Sequence, residues 1–282
     1  MSPTLVIARL TVREAVRRRL VAAFGVITVL LAALSAWGFD RLSHARNVTS
    51  GEVHVAIPQS LIVFMFMFSF VVALSASAMA SPSVSTEIES GILLAVLTRP
   101  VRRSEVLLGK WLGLAGVLLA YSVVVSALEV GIVDLVSGFV PPDPVGAALY
   151  LFGEGAILLS VTVLLSTRLS AIATGVVAVA LFGAAWLAGV VGSLGTLFKI
   201  GTLRSVGEVA RFLLPTDGLW HGAIYALEPR SFVAQRLSQS SAAAGNPFFA
   251  TAPLAWPYLV FVGAWFVLVM AAALYSFERR EL

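Results

Sequence analysis

Six long stretches of this chain contain almost no charged residue, and each is long enough to cross a lipid bilayer. A helix needs about 20 apolar residues to span the hydrocarbon core. The stretches are residues 20–39, 55–86, 111–136, 146–166, 169–198 and 254–277. Because lipid offers the peptide backbone no hydrogen-bonding partner, we predict that all six are helices. The predicted fold class is therefore an all-α integral membrane protein with six transmembrane helices.

The composition excludes a soluble enzyme. Hydrophobic residues make up 59% of the chain and charged residues 12%, against about 45–50% and about 25% in soluble domains. There is no cysteine, which removes disulfides, thiolate metal sites and cysteine nucleophiles. The three histidines lack metal-ligand spacing, so we expect no metal site. No phosphate loop, HExxH or GxSxG motif occurs, so we expect a protein that is not an enzyme, binds no cofactor and draws its energy from a partner or an ion gradient.

The basic residues predict the orientation in the membrane. If the N-terminus is cytoplasmic, 12 of the 19 lysines and arginines lie in inner segments and 7 in outer ones. Five of those seven lie in one long outer loop, which counts less in the positive-inside rule. We therefore predict a single transmembrane domain over residues 1–282, with both termini in the cytoplasm.

Residues 1–19 predict an amphipathic helix on the membrane surface before the first span. From Thr4 to Arg19 there is no proline or glycine, and Arg9, Arg13 and Arg17 share one narrow arc. Such a basic amphipathic helix can lie in the headgroup region. The alternative, that these arginines only anchor the orientation, stays open.

The second span ends in small residues from Ala73 to Ser81, followed by Pro82. Small side chains allow helix backbones to approach closely in lipid. This stripe predicts close packing, either within one subunit or against a second copy. Because proline removes a backbone donor, we expect Pro82 to end or kink the helix.

Residues 87–110 form the predicted cytoplasmic loop between the second and third spans. Glu87 and Glu89 are expected to open a short amphipathic helix, where carboxylates suit the positive end of the helix dipole. Arg99 precedes Pro100, which breaks that helix. Ser104 is the expected N-cap of a helix that starts at Glu105 and leads into the third span. A charged helix–turn–helix at the membrane surface suits docking to a cytoplasmic partner.

The last outer loop, residues 193–253, is long and partly apolar. Two short helices are expected, at residues 206–214 and 218–227, on either side of Pro215. Asp217, which directly precedes the second of these helices, is an expected N-cap. Their apolar side chains predict packing on the outer mouth or at the lipid interface.

Glu129 and Glu154 are charges inside predicted spans. Burying one in the bilayer costs about 2.5–3.5 kcal/mol, so such residues usually face a cavity or a partner. Each lies nine residues from the outer turn at residues 138–145, at about 13 Å depth in adjacent helices. They either line a polar translocation path or satisfy each other, or serines such as Ser126 and Ser160, in helix packing.

Three segments of the chain resemble type-two ABC exporter permeases. The loop carries Glu87-x-Glu89-x-Gly91 and then Arg99-Pro100-Val101-x-Arg103-x-Glu105-x-Leu107-Leu108-Gly109-Lys110. The N-terminal helix is similar in its run Arg9, Arg13-Glu14 and Arg17-Arg18-Arg19, and the C-terminus in Phe277-Glu278-Arg279-Arg280-Glu281-Leu282. The branch that the chain most resembles includes the permease of nitrous-oxide-reductase maturation.

The resemblance implies a permease of the bacterial plasma membrane that pairs with a second permease and two separate ATPase subunits. ATP and magnesium are expected on those ATPases. The residues implied in ATPase coupling are Arg13, Arg17, Glu87, Glu89, Gly91, Arg99, Pro100, Arg103, Glu105 and Lys110. Two other functions stay open: an ion-coupled secondary transporter that uses Glu129 and Glu154, and a membrane anchor that recruits a cytoplasmic enzyme.

Overall fold

The computed structural model describes residues 2–17, 19–44, 50–89, 102–239 and 245–280. Within these residues the chain is helical and contains no strand. The helices are α1 (Pro3–Arg17), α2 (Arg19–Ser43), α3 (Ser50–Glu89), α4 (Arg103–Ser137), α5 (Pro144–Ser166), α6 (Ala171–Leu197), α7 (Gly201–Leu213), α8 (Thr216–Leu227), α9 (Arg230–Gln239) and α10 (Trp256–Glu278). Six of them are long and apolar enough to cross a membrane: α2, the Val55–Glu87 part of α3, α4, α5, α6 and α10. The predicted fold class is confirmed.

The central helices are α3 and α5, and the remaining spans pack around them. Helix α3 contacts α2, α4, α5 and α6, while α5 contacts α3, α4, α8 and α10. A Cβ on Gly155 of α5 would lie 2.8 Å from side-chain atoms of both Val72 and Leu118. Glycine is therefore required where α3, α4 and α5 meet. We call the end of the bundle that carries α1 the inner end and the opposite end the outer end.

The small-residue stripe of α3 packs inside the subunit. Ala73, Ala76 and Ala80 are fully buried within this one chain. The hydroxyl of Ser77 donates to the backbone carbonyl of Gly175 on α6, at 3.3 Å. Small side chains let α3 and α6 approach closely enough for this contact. The structure thus shows packing within one subunit, while packing against a second copy stays a prediction.

We had expected Pro82 either to end or to kink helix α3. The helix does not end there but continues to Glu89. A proline removes one backbone donor and leaves a carbonyl in the preceding turn without its usual partner. Two neighbouring serines bond to carbonyls of this region: Ser83 Oγ donates to Ala80 O at 2.6 Å and Ser85 Oγ to Ser81 O at 2.8 Å. Neither hydroxyl reaches the Ala78 carbonyl, four residues before Pro82, so these bonds flank the proline without replacing the helical bond that it removes.

Helix α1 lies against a glycine groove at the inner end of α4. A Cβ on Gly109 would lie 2.8 Å from Thr4 O, and one on Gly113 would lie 2.6 Å from Ala8 O. The packed side of α1 includes the buried Ala15, while Arg9, Arg13 and Arg17 are exposed. The predicted helix is thus present, and the side that rests on α4 carries small, aliphatic or partly polar residues. The exposed side carries the arginines together with Leu5, Val6, Leu10 and Val16.

The outer segment folds back along α6 and α5 instead of forming a simple loop. After a tight turn in which Lys199 has φ of 57°, α7 runs antiparallel to α6. Their backbones touch, because a Cβ on Gly192 would lie 2.8 Å from the Cα of Gly207. Helix α8 then returns along α5 towards the outer end, where Ala226 O accepts from Asp143 N at 3.0 Å.

The turn between α7 and α8 lies deep in the outer half of the bundle. Near this turn, Leu219 packs 3.4 Å from the Cβ position of Gly153, and Asp217 packs on Gly189. Gly153 is nine residues into α5 and Gly189 eight residues before the end of α6. At about 1.5 Å per residue, the turn is about 12–14 Å inside the outer ends of those spans.

The two helices predicted around Pro215 are present, but they begin at Gly201 and Thr216, and α9 was not expected. Asp217 is not the N-cap of α8. That position is held by Pro215, and the Asp217 side chain bonds to Arg211 instead. A local capping rule cannot detect an arginine on the preceding helix.

We expect Gly113→Val to displace α1 from its groove. The added side chain would overlap Ala8 and Thr11, and overpacking typically costs about 1–3 kcal/mol. Thermal unfolding in detergent should show the loss, and trypsin should cleave the arginine-rich α1 faster.

The matched control is Gly116→Val, on the same helix, where an added Cβ meets no atom of the described chain within 4 Å. Equal behaviour of the two variants would contradict the glycine groove.

Candidate functional site

The inner ends of α3 and α4 are joined by a buried ion pair. Lys110 Nζ pairs with Glu87 Oε2 and also donates to Ser83 O. Lys110 is only 7% exposed, and it borders a water-sized cavity beneath α1 that Thr11 and Glu14 also line. The pair therefore fixes the point at which the chain leaves α3 for residues 90–101.

We had expected Glu87 and Glu89 to open a helix. Both residues instead lie in the last turn of α3. A carboxylate at a helix C-terminus is unfavourable to the helix dipole. For Glu87, the Lys110 ammonium offsets that cost. Gly91, Arg99 and Pro100 lie outside the described residues, as does the side chain of Glu89.

Arg103 and Glu105 stabilise helix ends. Arg103 Nη1 donates to the carbonyls of Phe277, Glu278 and Arg280, at 3.4, 3.3 and 2.7 Å. These carbonyls lie at the C-terminus of α10, where a positively charged side chain interacts favourably with the helix dipole.

The start of α4 is capped differently from our expectation. Arg102, not Ser104, is the N-cap, and Glu105 Oε2 accepts from the Arg102 backbone N at 2.9 Å. A glutamate at the third helical position satisfies a donor that has no partner within the helix. Position N3 of the capping box, rather than a serine N-cap, therefore sets this boundary.

Two further arginines hold the inner ends of α5 and α10 together. Arg168 Nε donates to Ser276 Oγ at 2.9 Å, and Thr167 Oγ1 shares a 2.8 Å hydrogen bond with the same hydroxyl. Arg280 Nη1 donates to Thr167 O. We call Arg103, Arg168 and Arg280 the arginine clamp. It ties α4, α5 and α10 at the inner end.

The side of α1 that faces away from α4 is basic and open. Arg13 and Arg17 are exposed there, beside Leu10, which is 58% exposed. With Glu14 they line an open concavity of about 500 Å³. An exposed apolar side chain between two arginines suits contact with another protein surface.

Glu129 and Glu154 are both buried, and each accepts a hydrogen bond from a serine on a different helix. Ser35 Oγ of α2 donates to Glu129 Oε2 at 2.9 Å, and Ser69 Oγ of α3 donates to Glu154 Oε2 at 2.7 Å. Their exposed fractions are 0% and 4%. The carboxylates thus connect α2 to α4 and α3 to α5.

The serine partners that we had suggested are wrong. Ser160 Oγ donates to Ala156 O and accepts from Trp111 Nε1 at 3.0 Å. Ser126 Oγ and Glu129 Oε1 have no hydrogen-bond partner among the described residues. The correct partners could not be identified from sequence, because they depend on which helices are adjacent and how each is rotated.

A second polar cluster, which the sequence analysis missed, lies at the turn between α7 and α8. Arg211 Nε donates to Asp217 Oδ2 at 2.7 Å, and Arg211 Nη2 lies 3.2 Å from His221 Nε2. His221 Nδ1 lies 2.8 Å from Asp217 O, which is an acceptor only, so Nδ1 carries the proton. Tyr258 OH donates to Arg211 O at 3.2 Å.

Burial lowers the pKa of His221 from its ordinary value, and the Arg211 guanidinium acts in the same direction against the attraction of Asp217. The neutral ring is therefore favoured, with Nε2 as the acceptor from Arg211. Within the described residues, no group of three or more histidine, aspartate or glutamate side chains is placed to hold a metal ion.

The family assignment rests on a match that covers almost the whole of this helical chain. A profile described as ABC-2 family transporter protein matches residues 5–282. The chain belongs to the ABC-2 transporter family. A comparison with curated proteins gives no match.

Membership makes this chain a multi-pass membrane component of an ABC transporter, with a role in transport. It also implies partnership with an ABC ATPase subunit. In this ABC-2 chain, the exposed side of α1 and the Glu87–Lys110 pair lie at the same end of the bundle. That end is the candidate contact surface for the ATPase.

We expect Lys110→Met to lower the free energy of unfolding by about 1–3 kcal/mol, because the Glu87 carboxylate, which is 27% exposed, and the Ser83 carbonyl both lose the buried ammonium group. The double variant Lys110→Met/Glu87→Gln removes both charges and should recover most of that loss. Unfolding in detergent measures both.

Lys199→Met, an exposed lysine at the outer end, serves as the control and should unfold like the wild type. A double variant as unstable as the single one would show that the pair does not carry this stability.

Proposed function

We propose that this chain is the permease subunit of an ABC exporter in a bacterial plasma membrane. It moves a substrate outward, using ATP that a separate subunit binds with magnesium and hydrolyses. The observation that carries the proposal is an anchored α1 whose exposed basic side is free to receive a partner. The family match over residues 5–282 supports it. The loop and terminal motifs favour the branch that includes the permease of nitrous-oxide-reductase maturation.

The orientation follows from charge. The inner end carries α1, the arginine clamp and most of the basic residues, and basic segments stay in the cytoplasm. Both termini then face the cytoplasm, and α7 to α9 belong to the outer side. Two permeases and two ATPases complete the assembly.

Coupling is assigned to two elements at the inner end. Arg13 and Arg17 contact the ATPase directly, together with the loop residues Glu89, Gly91, Arg99 and Pro100. The Glu87–Lys110 pair passes a displacement of the loop to α3 and α4, because Lys110 bonds to both the end of α3 and its Ser83 carbonyl.

Arg103 and Glu105 take part in coupling as positioning residues. Their bonds to the ends of α10 and α4 hold the start of α4 in a fixed geometry. A displacement of the loop would then move α4 without distorting its first turn. Charge reversal at Arg103 would disturb α10 itself, and it is therefore a poor test of ATPase contact.

Glu129 and Glu154 are assigned to the translocation path in the outer half. Each holds two helices together through one serine hydrogen bond. Separation of those helices would break the serine bond and expose the carboxylate to the path between them. An intramembrane carboxylate of this kind is a functional candidate by default.

We expect the double reversal Arg13→Glu/Arg17→Glu to abolish stimulation of ATP hydrolysis in the assembled complex. Both side chains are exposed on α1, so the permease itself should unfold at the wild-type temperature. The measurement is ATPase activity of the partner subunit with and without the reconstituted permease.

The matched control, Arg230→Glu, reverses an exposed arginine on the outer side and should leave the stimulation intact. If the α1 variant stimulated the ATPase as well as the wild type, the proposed contact surface would be wrong.

Glu129→Gln should retain the fold, because the amide can still accept from Ser35, but should slow ATP turnover by the reconstituted complex. Loss of the carboxylate as a polar group on the path would raise the barrier by about 1.4 kcal/mol, which is about tenfold in rate.

Asp134→Asn makes the same chemical change at an exposed position of α4 and should have little effect. Unchanged turnover in Glu129→Gln would assign Glu129 to helix packing alone.

A further inference from the structure

Helix α7 borders a cavity with its charged side and leaves its apolar side uncovered. Arg204, Glu208 and Arg211 line a cavity on one side of the helix, where their side chains are 66%, 55% and 36% exposed. The exposed side carries Val206, Val209, Phe212 and Leu213, with exposed fractions of 45%, 56%, 55% and 71%. A helix on a water-covered surface shows the reverse arrangement. Since the turn after α7 lies about 12–14 Å inside the spans at 1.5 Å per residue, lipid is the environment that suits the exposed side.

The charged side of α7 borders a polar cavity of about 400 Å³. Helices α6 and α8 and residues 249–254 form its other walls. Its polar lining is supplied by Ser193, Thr196, Arg204, Glu208, Arg211 and His221. The direct contact between Gly192 and Gly207 brings α6 and α7 together, so that both arginines point to one space two helical turns apart.

The hydrogen bonds around this cavity leave cationic donors unused. The hydroxyls of Ser193 and Thr196 donate to the carbonyls of Gly189 and Gly192, both at 3.1 Å. Arg211 uses Nε and Nη2, and Arg204 uses Nε towards Glu208 at 2.9 Å. Within the described chain, no acceptor meets Arg211 Nη1 or the two terminal nitrogens of Arg204.

The base of the cavity holds Arg211 in place. Asp217, whose side chain is 4% exposed, receives its Nε, and the neutral ring of His221 receives its Nη2. The guanidinium therefore cannot turn away, and its remaining N–H groups keep a fixed direction. A fixed guanidinium is the group that best binds a carboxylate or a phosphate.

We propose that this outer cavity is a binding site for an anionic group, a phosphate or a carboxylate, held by Arg211 and Arg204. Two sources present that chemistry here: the headgroup of an anionic lipid beside the exposed side of α7, and a soluble anion from the outer solution. This site is separate from the proposed ATPase contact. Anion binding can therefore be measured on this chain without the ATPase.

The test uses the full-length chain in nanodiscs of phosphatidylcholine. In one arm, inorganic phosphate or glutarate is titrated at constant ionic strength while thermal unfolding is followed. In the other arm, phosphatidylglycerol is added and bound lipid is counted by native mass spectrometry. We expect the wild type to respond in at least one arm, and the responding arm identifies the source.

Arg211→Gln alone would leave Asp217 buried without its partner, so the informative variant is Arg211→Gln/Asp217→Asn, which removes both charges. It should weaken binding at least tenfold, and Arg204→Gln should weaken it less. Lys199→Gln, an exposed outer lysine beyond the cavity wall, is the matched control and should bind like the wild type.

Two results would overturn the proposal. One is no response of the wild type to phosphate, glutarate or phosphatidylglycerol. The other is binding by Arg211→Gln/Asp217→Asn that equals binding by the Lys199→Gln control, because such binding would come from surface charge and not from the cavity.

Discussion

The lack of hydrogen-bonding partners in lipid explains why nearly every charge placed deep in this chain is tied to a particular neighbour. A polar group left unsatisfied there costs several kcal/mol. Lys110 is paired with Glu87, and Glu129 and Glu154 accept from serines. The exposed arginines of α1, which we assign to ATPase contact, lie at the inner end beyond the apolar spans. A buried charge in this protein therefore marks a contact between helices.

Backbone-level contact at glycines is the second constraint on this fold. Gly109 and Gly113 receive α1, Gly155 receives α3 and α4, and Gly192 receives α7. Apolar attraction between helices is weak in lipid, so close packing has to replace it. Two of these contacts place a candidate functional element: the first leaves the basic side of α1 exposed, and the last brings Arg204 and Arg211 to the outer cavity. Contact geometry thus decides which side of an amphipathic helix remains available.

The spans and their order could be predicted from sequence, because the loss of charge over about 20 residues is a long-range signal. The short-range signals were less reliable. Ser104 and Asp217 are good N-cap residues in isolation, but a glutamate at N3 and an arginine on α7 decided those positions. The depth of Glu129 followed from counting along its helix. Its partner Ser35 did not, because helix rotation and adjacency are tertiary properties. The cluster around Arg211 was missed because its three members lie on two helices separated by a turn.

The two ends of the bundle differ in what holds them together. At the inner end, the arginine clamp and the Lys110 pair join α3, α4, α5 and α10 through many charged hydrogen bonds. In the outer half, one serine–carboxylate bond joins α2 to α4 and another joins α3 to α5. A hydrogen bond to a charged group contributes about 1.5–3 kcal/mol, and the inner end has several of them between these helices. The charged outer cluster of Arg211 and Asp217 joins α7 to α8 instead. In the proposed coupling, a displacement applied at the inner end would therefore move α3, α4, α5 and α10 together, because these charged bonds join their inner ends.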